Sequence, residues 1–143
     1  MASNIRALMT ATNFAAIKHR DQRRKDAAAT PYINHPIGVA EIISAEAGIT
    51  DTDILIGALL HDTVEDTDTT FEEIEQHFGT KIRTIVEDCS DDKTLKKEER
   101  KLAQIAHAPH ACHEAKVVKL ADKLYNLRGM DGPGAPADWS DER

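Results

Sequence analysis

At 143 residues, 41% hydrophobic and 30% charged, the chain has the size of one domain and the composition of a globular one. Its formal net charge of −7 excludes wrapping nucleic acid as a main task, so any bound anion has to be met by a local basic patch. No apolar run approaches the ~20 residues of a membrane span, and no basic segment leads into an apolar core at the N-terminus. The two cysteines, Cys89 and Cys112, make neither a metal spacing nor a disulfide framework, so a reducing, cytoplasmic location is expected.

Strand-like alternation is absent and helical periodicity recurs. Ser3 or Asn4 can cap a first helix whose apolar positions are Ile5, Leu8, Met9, Thr12 and Ala16. It runs into a basic stretch over residues 18–25 and a loop over 26–31. Pro36 suits the start of a second helix, with Ile37, Ala40, Ile43 and Ala47 as its expected buried face and Gly48 as its end. Asp51 or Thr52 caps a third segment, in which Ile54-Leu55-Ile56-Gly57-Ala58-Leu59-Leu60 has no polar residue. A buried strand would read the same way; the cap before it and the length beyond it favour a helix. Thr70-Phe71-Glu72-Glu73 has the spacing of a capping box for a short helix to His77. Gly79 breaks the chain before another helix over 81–88. A polar loop over 91–97 precedes a solvated amphipathic helix over 97–106, which Pro109 interrupts. The last helix runs from Glu114 to about Met130, with Val117, Leu120, Ala121, Leu124 and Leu127 on one face, and a loop over 129–136 follows it. The expected fold class is all-α, a compact bundle of irregularly crossed helices.

The apolar third segment ends by delivering His61 and Asp62. A carboxylate pushed into a core is costly unless something positive meets it, and a metal ion held by both side chains resolves that conflict. At 100° per residue Asp122 lies at the rim of the last helix's apolar arc, beyond Val118 and Tyr125, with Asn126 one turn further on. His35 stands just before Pro36, at the mouth of the second helix. His35, His61, Asp62 and Asp122 are therefore a candidate ligand set of two nitrogens and two carboxylate oxygens. That mixture suits manganese, zinc or iron and leaves positions for water and substrate. Taken singly, each has an ordinary reading, the His before Pro as a loop residue and the helical Asp as a solvated one.

Glu65 and Asp66 stand four residues past His61 and Asp62. If the helix continues, each lies one turn beyond its counterpart, about 5–6 Å away between Cβ atoms. Two carboxylates beside a metal can orient and deprotonate an attacking water; an acidic, solvated helix end is the ordinary alternative. Arg23-Arg24-Lys25 is the densest basic run, where Arg suits bidentate phosphate contacts and Lys acts as a point charge. Residues 107–113 hold three histidines and Cys112, but Pro109 breaks any helical register there, so no metal site is expected in that loop.

The order His35…His61-Asp62…Asp122 resembles that of the HD phosphohydrolase superfamily. Three longer words, Thr30-Pro31-Tyr32-Ile33-Asn34-His35-Pro36, Leu59-Leu60-His61-Asp62-Thr63-Val64-Glu65-Asp66-Thr67 and Lys119-Leu120-Ala121-Asp122-Lys123-Leu124-Tyr125-Asn126-Leu127-Arg128, are similar to the hydrolase domain of RelA/SpoT proteins. Those proteins remove the 3′-pyrophosphate from the alarmones ppGpp and pppGpp. In length, with no synthetase or regulatory domain, the chain is most similar to the stand-alone metazoan SpoT homologues. The resemblance implies a single all-helical HD domain over residues 1–143, Mn²⁺ on the four ligands, and catalysis by Glu65 and Asp66. It implies hydrolysis of guanosine 3′,5′-bis(diphosphate) to GDP or GTP and pyrophosphate, with Arg24, Lys25, Lys97, Asn126 and Arg143 binding substrate.

Two departures from the family pattern stand out. Residues 95–97 read Leu-Lys-Lys where relatives carry a proline. The chain stops at Arg143 where relatives continue for one or two more helices, and Gly132-Pro133-Gly134-Ala135-Pro136 looks like an insertion. Weakened substrate affinity and stability are expected from such an end. Two other functions stay open at this point: a phosphatase acting on another ribose-phosphorylated nucleotide, such as the 2′-phosphate of NADPH, and a non-catalytic nucleotide-binding module.

Overall fold

The structure, a computed structural model, describes residues 2–91 and 95–129. Its elements in chain order are α1 (Ala2–Lys18), α2 (Asn34–Glu41) widening into a π turn (Ile42–Glu46), α3 (Thr52–Leu60), the single turn α4 (Thr63–Asp66), α5 (Phe71–Phe78), α6 (Thr80–Cys89), α7 (Lys97–His107) ending in a 3₁₀ turn (Ala108–His110), and α8 (His113–Gly129). The fold is all-α. Among the described residues extended pairing is limited to one isolated bridge, Arg23 to Pro31. No described helix is long and apolar enough to cross a membrane.

The apolar third segment is the hub, and it is helical. Asp51 caps it, accepting a hydrogen bond from the Asp53 backbone N–H at 2.9 Å. All seven residues from Ile54 to Leu60 are buried, because α1, α2, α6 and α8 pack around the helix on every side. Each fully buried Leu or Ile there contributes about 1.5–3 kcal/mol. Gly57 is what lets α6 come so close: a Cβ at that position would stand 2.6 Å from Ile85 Cγ2. The capping box also forms, with Thr70 Oγ1 accepting from the Glu73 N–H at 3.1 Å. Gly79, at φ +98°, makes the sharp joint between α5 and α6.

Three expected faces are rotated. In α1, Ala11 and Ala15 are buried while Ile5 and Met9 are 61% and 63% exposed. In α2 the buried side is His35, Pro36 and Val39, continued by Ile42 and Ile43, and Ile37 and Ala47 face out. In α8 it is Ala115, Val118 and Ala121, whereas Leu120 is 70% exposed. In α1 and α8 the reason is common. A 3.6-residue period leaves two neighbouring stripes with apolar residues, and the hub takes the one with small or β-branched residues because it lets the axes approach. The π turn adds to the shift in α2, where the Ala47 N–H reaches back five residues to the Ile42 carbonyl at 3.1 Å. Gly48, at φ +68°, ends this helix as expected.

A candidate metal centre and its cavity

The site begins where α3 stops. A helix end leaves carbonyls without amide partners, and here two side chains that follow the helix satisfy them. Thr63 Oγ1 donates to the Leu60 carbonyl at 2.8 Å, and His61 Nδ1 lies 2.6 Å from the Ala58 carbonyl. A carbonyl only accepts, so Nδ1 carries a proton and His61 Nε2 points the other way. Helix α3 therefore does not run on through Glu65. The chain turns at His61 and Asp62, and Glu65 and Asp66 sit on the separate turn α4.

His61 Nε2 faces the carboxylates of Asp62 at 3.1 Å and Asp122 at 3.4 Å. His35, carried on the first turn of α2, brings its Nε2 to 2.6 Å from Asp122 Oδ1 and 3.6 Å from Asp62 Oδ2. One ligand atom from each of these four residues lies within 4.8 Å of all the others. Ligands held about 2.0–2.2 Å from a common ion stand at most about 4.4 Å apart, so a bound ion would draw this set together by a few tenths of an ångström. Both imidazoles are buried. Burial works against a charged His61, yet Asp62 and Asp122 raise it well above its ordinary range. Burial also works against an ionised Asp62, but His61 and the Tyr32 hydroxyl bring it down to about 2; Asp122 is lowered in the same way by both histidines. Two ionised carboxylates and two inward-facing imidazole nitrogens, one oriented by the backbone carbonyl that holds its Nδ1 proton, fit a divalent cation, which would take the place of the proton on His61 Nε2. The negative end of the α3 dipole points at the same place.

The basic run sits on a closed loop. Arg24 N–H donates to the Thr30 carbonyl at 2.7 Å and Tyr32 N–H to the Gln22 carbonyl at 3.0 Å. Asp26 ties the loop from inside, accepting from the Thr30 N–H at 2.9 Å and the Thr30 hydroxyl at 2.5 Å. Arg24 thereby stands with its guanidinium 5.7 Å from the rings of both Tyr32 and Tyr125 and donates to Asn126 Oδ1 at 3.2 Å. A cavity of about 430 Å³ opens between this loop and the metal cluster. Arg24, Lys25, Glu65, Asp66, Asp122 and Asn126 all line it. Glu65 accepts the Asp91 N–H at 2.6 Å, which fastens α4 to the end of α6. Lys97 is not brought to this cavity; it opens α7 and is exposed. Arg143 lies outside the described residues.

A family model described as an HD domain matches residues 11–140. The chain belongs to the HD-domain family. Relatives in that family include a guanosine-3′,5′-bis(diphosphate) 3′-pyrophosphohydrolase MESH1 from Xenopus tropicalis, 62% identical over 143 residues, which covers all of this chain and 79% of the relative. The Homo sapiens protein of the same name is 59% identical over the same share of each chain. A solved structure described as a metazoan ortholog of SpoT that hydrolyzes ppGpp superposes with TM-score 0.89 at 50% identity, covering 96% of this chain and 76% of that one.

The HD-domain site also uses residues that the motif reading passed over. Tyr32 donates its hydroxyl to Asp62 Oδ2 at 2.6 Å, and burial together with that carboxylate keeps the phenol protonated. Tyr125 sets its ring edge-on to His35, with centroids 4.8 Å apart. Both stand inside the quoted motif words, three residues from a candidate ligand; that adjacency was the available signal.

Proposed function

We propose that this chain is a guanosine-3′,5′-bis(diphosphate) 3′-pyrophosphohydrolase that works with Mn²⁺ on His35, His61, Asp62 and Asp122. The observation that carries this reading is the convergence of those four side chains beside Glu65 and Asp66, in a cavity whose opposite rim is Arg24 and Lys25. The names of the MESH1 relatives and of the SpoT ortholog support the substrate. A divalent cation there supplies Lewis acidity at the phosphoryl oxygen and acidifies a water; mixed imidazole and carboxylate ligation suits manganese.

The chain's own groups do the rest. Burial raises the Glu65 carboxyl above its ordinary range; the Asp91 N–H opposes that rise, and the charges of Asp91, Asp62 and Asp66 add to it. A more basic carboxylate at the cavity wall receives the proton of the attacking water. Asp66, lining the same wall, orients that water. Arg24, held by Asn126 and two tyrosine rings, presents a fixed guanidinium to the nucleotide, with Lys25 adding charge beside it. Water oxygen bonds to the phosphorus attached to the ribose 3′-oxygen, the bond from that phosphorus to the 3′-oxygen breaks, and a proton passes to the 3′-oxygen.

The test is product analysis after metal removal and add-back, with ppGpp and NADPH as parallel substrates. Pyrophosphate and GDP should appear from ppGpp with Mn²⁺, and Glu65→Gln or Asp66→Asn should abolish release while the metal stays bound. Orthophosphate from NADPH without pyrophosphate from ppGpp would replace this reading with a ribose-phosphate phosphatase. Nucleotide binding without turnover would replace it with a non-catalytic module.

A further inference from the structure

A second cavity, of about 550 Å³, meets the first at the metal cluster. Asp62, Glu65 and Asp122 line both. Beyond those shared residues its walls differ. One is Asp91 with Gln104 and Ile105 of α7, the Gln104 amide donating to the Asp91 carboxylate; the other is the stripe Lys116, Lys119 and Lys123 of α8, spaced so that all three share a helix face. Lys116 directs its ammonium at the Pro109 carbonyl, 3.4 Å away. Lys119 and Lys123 form no ion pair among the described residues, so their charge is left for the cavity. Lys119 is half-buried, and its charge is felt at the Cys89 thiol on the cavity wall, where it acts alongside His61 against the effect of burial.

Two cavities joined at one reaction centre suit a substrate with two arms on its reacting phosphorus. One arm is the ribose with its nucleotide, which the Arg24 side of the first cavity receives. The other is the bridging oxygen and terminal phosphate. A monophosphate ester has no such second arm and would leave the lysine side unused. We propose that the second cavity receives the terminal phosphate of the 3′-diphosphate, and then the pyrophosphate product, with Lys119 and Lys123 as its cationic contacts. This rests on the hydrolase reading above and deepens it. In the step, the water oxygen joins the reacting phosphorus, the electron pair of the broken bond stays on the 3′-oxygen, and pyrophosphate departs into the lysine-lined space carrying the water's oxygen.

The test compares wild type with Lys119→Gln, Lys123→Gln and the double variant, all metal-loaded. The ratio of kcat/KM for the 3′-diphosphate over the 3′-monophosphate of guanosine 5′-diphosphate should fall at least about tenfold in the double variant, the worth of a lost hydrogen bond to a charged group. Direct binding of inorganic pyrophosphate by calorimetry should weaken by a similar factor relative to binding of GDP. An unchanged ratio, or equal loss for both ligands, overturns the assignment. If wild type releases no pyrophosphate from ppGpp, the hydrolase reading fails by itself; the calorimetric comparison still decides whether these lysines bind pyrophosphate.

Discussion

Gly38 is the position at which a single methyl group should reach the candidate metal centre. It lies in α2 one turn past His35, and a Cβ built there would stand 2.2 Å from Tyr125 Cε2 and 2.8 Å from Cδ2. To reach ordinary contact at 3.4 Å, the ring edge has to retreat by about 1.2 Å. It has little room, because it stands edge-on to His35 and beneath the Arg24 guanidinium. Two effects oppose each other in Gly38→Ala. Helix propensity favours Ala by about 0.8–1.0 kcal/mol, and overpacking costs about 1–3 kcal/mol. We expect overpacking to win by about 1 kcal/mol, which lowers the melting temperature by about 2–4 °C for a domain of this size. Divalent-metal affinity should fall with it, as the displaced ring takes His35 along. The assays are thermal melts and metal titration of Gly38→Ala, Tyr125→Ala and the double variant, where the penalty of Gly38→Ala should vanish once the ring is gone. A melting temperature that rises with metal affinity unchanged would refute the reasoning, since the ring would then be free to swing aside and Gly38 would not be a packing requirement.

Tyr32→Phe removes the hydroxyl that holds Asp62 Oδ2 and should weaken metal binding about 10–100-fold, typical for loss of a group supporting a metal ligand; an unchanged titration curve would rule out that support. Stripping the divalent cation with a chelator should lower the melting temperature, and restoring it at 100 times its Kd should return about 2.7 kcal/mol; a melt insensitive to both would mean that the His–Asp cluster holds no ion. The Asp26 carboxyl is held below its ordinary range by the Thr30 hydroxyl and N–H. A carboxyl depressed in the folded state contributes in full above its unfolded value near ~3.9 and loses that contribution as pH falls through the lower folded value. Protection of the Thr30 amide against hydrogen exchange should therefore fall in that acid window, and Asp26→Asn should remove the pH dependence; identical profiles for the two proteins would exclude the cap.

Much of this protein could be read without coordinates. Fold class followed from helical periodicity, and the caps at Asp51 and Thr70 and the breaks at Gly48 and Gly79 followed from local backbone chemistry. That His61 and Asp62 need a partner was legible too, because an apolar run that ends in His-Asp has to bring a counter-charge into the core, and His35 and Asp122 do meet them. What local chemistry could not decide was rotation. In α1 and α8 two adjacent stripes both carry apolar residues, and the choice of Ala11 over Met9, or Val118 over Leu120, was made by how closely a neighbouring helix can approach the hub. The same limit hid the roles of Tyr32 and Tyr125, and the break in the helix before Glu65. A hydroxyl or ring edge becomes a support only when another element brings a carboxylate or imidazole within reach. The Asp91 N–H that fastens Glu65 comes from 26 residues away. Periodicity along a chain determines which side chains can share a face; only packing against the rest of the molecule decides which face is turned inward and what it meets there.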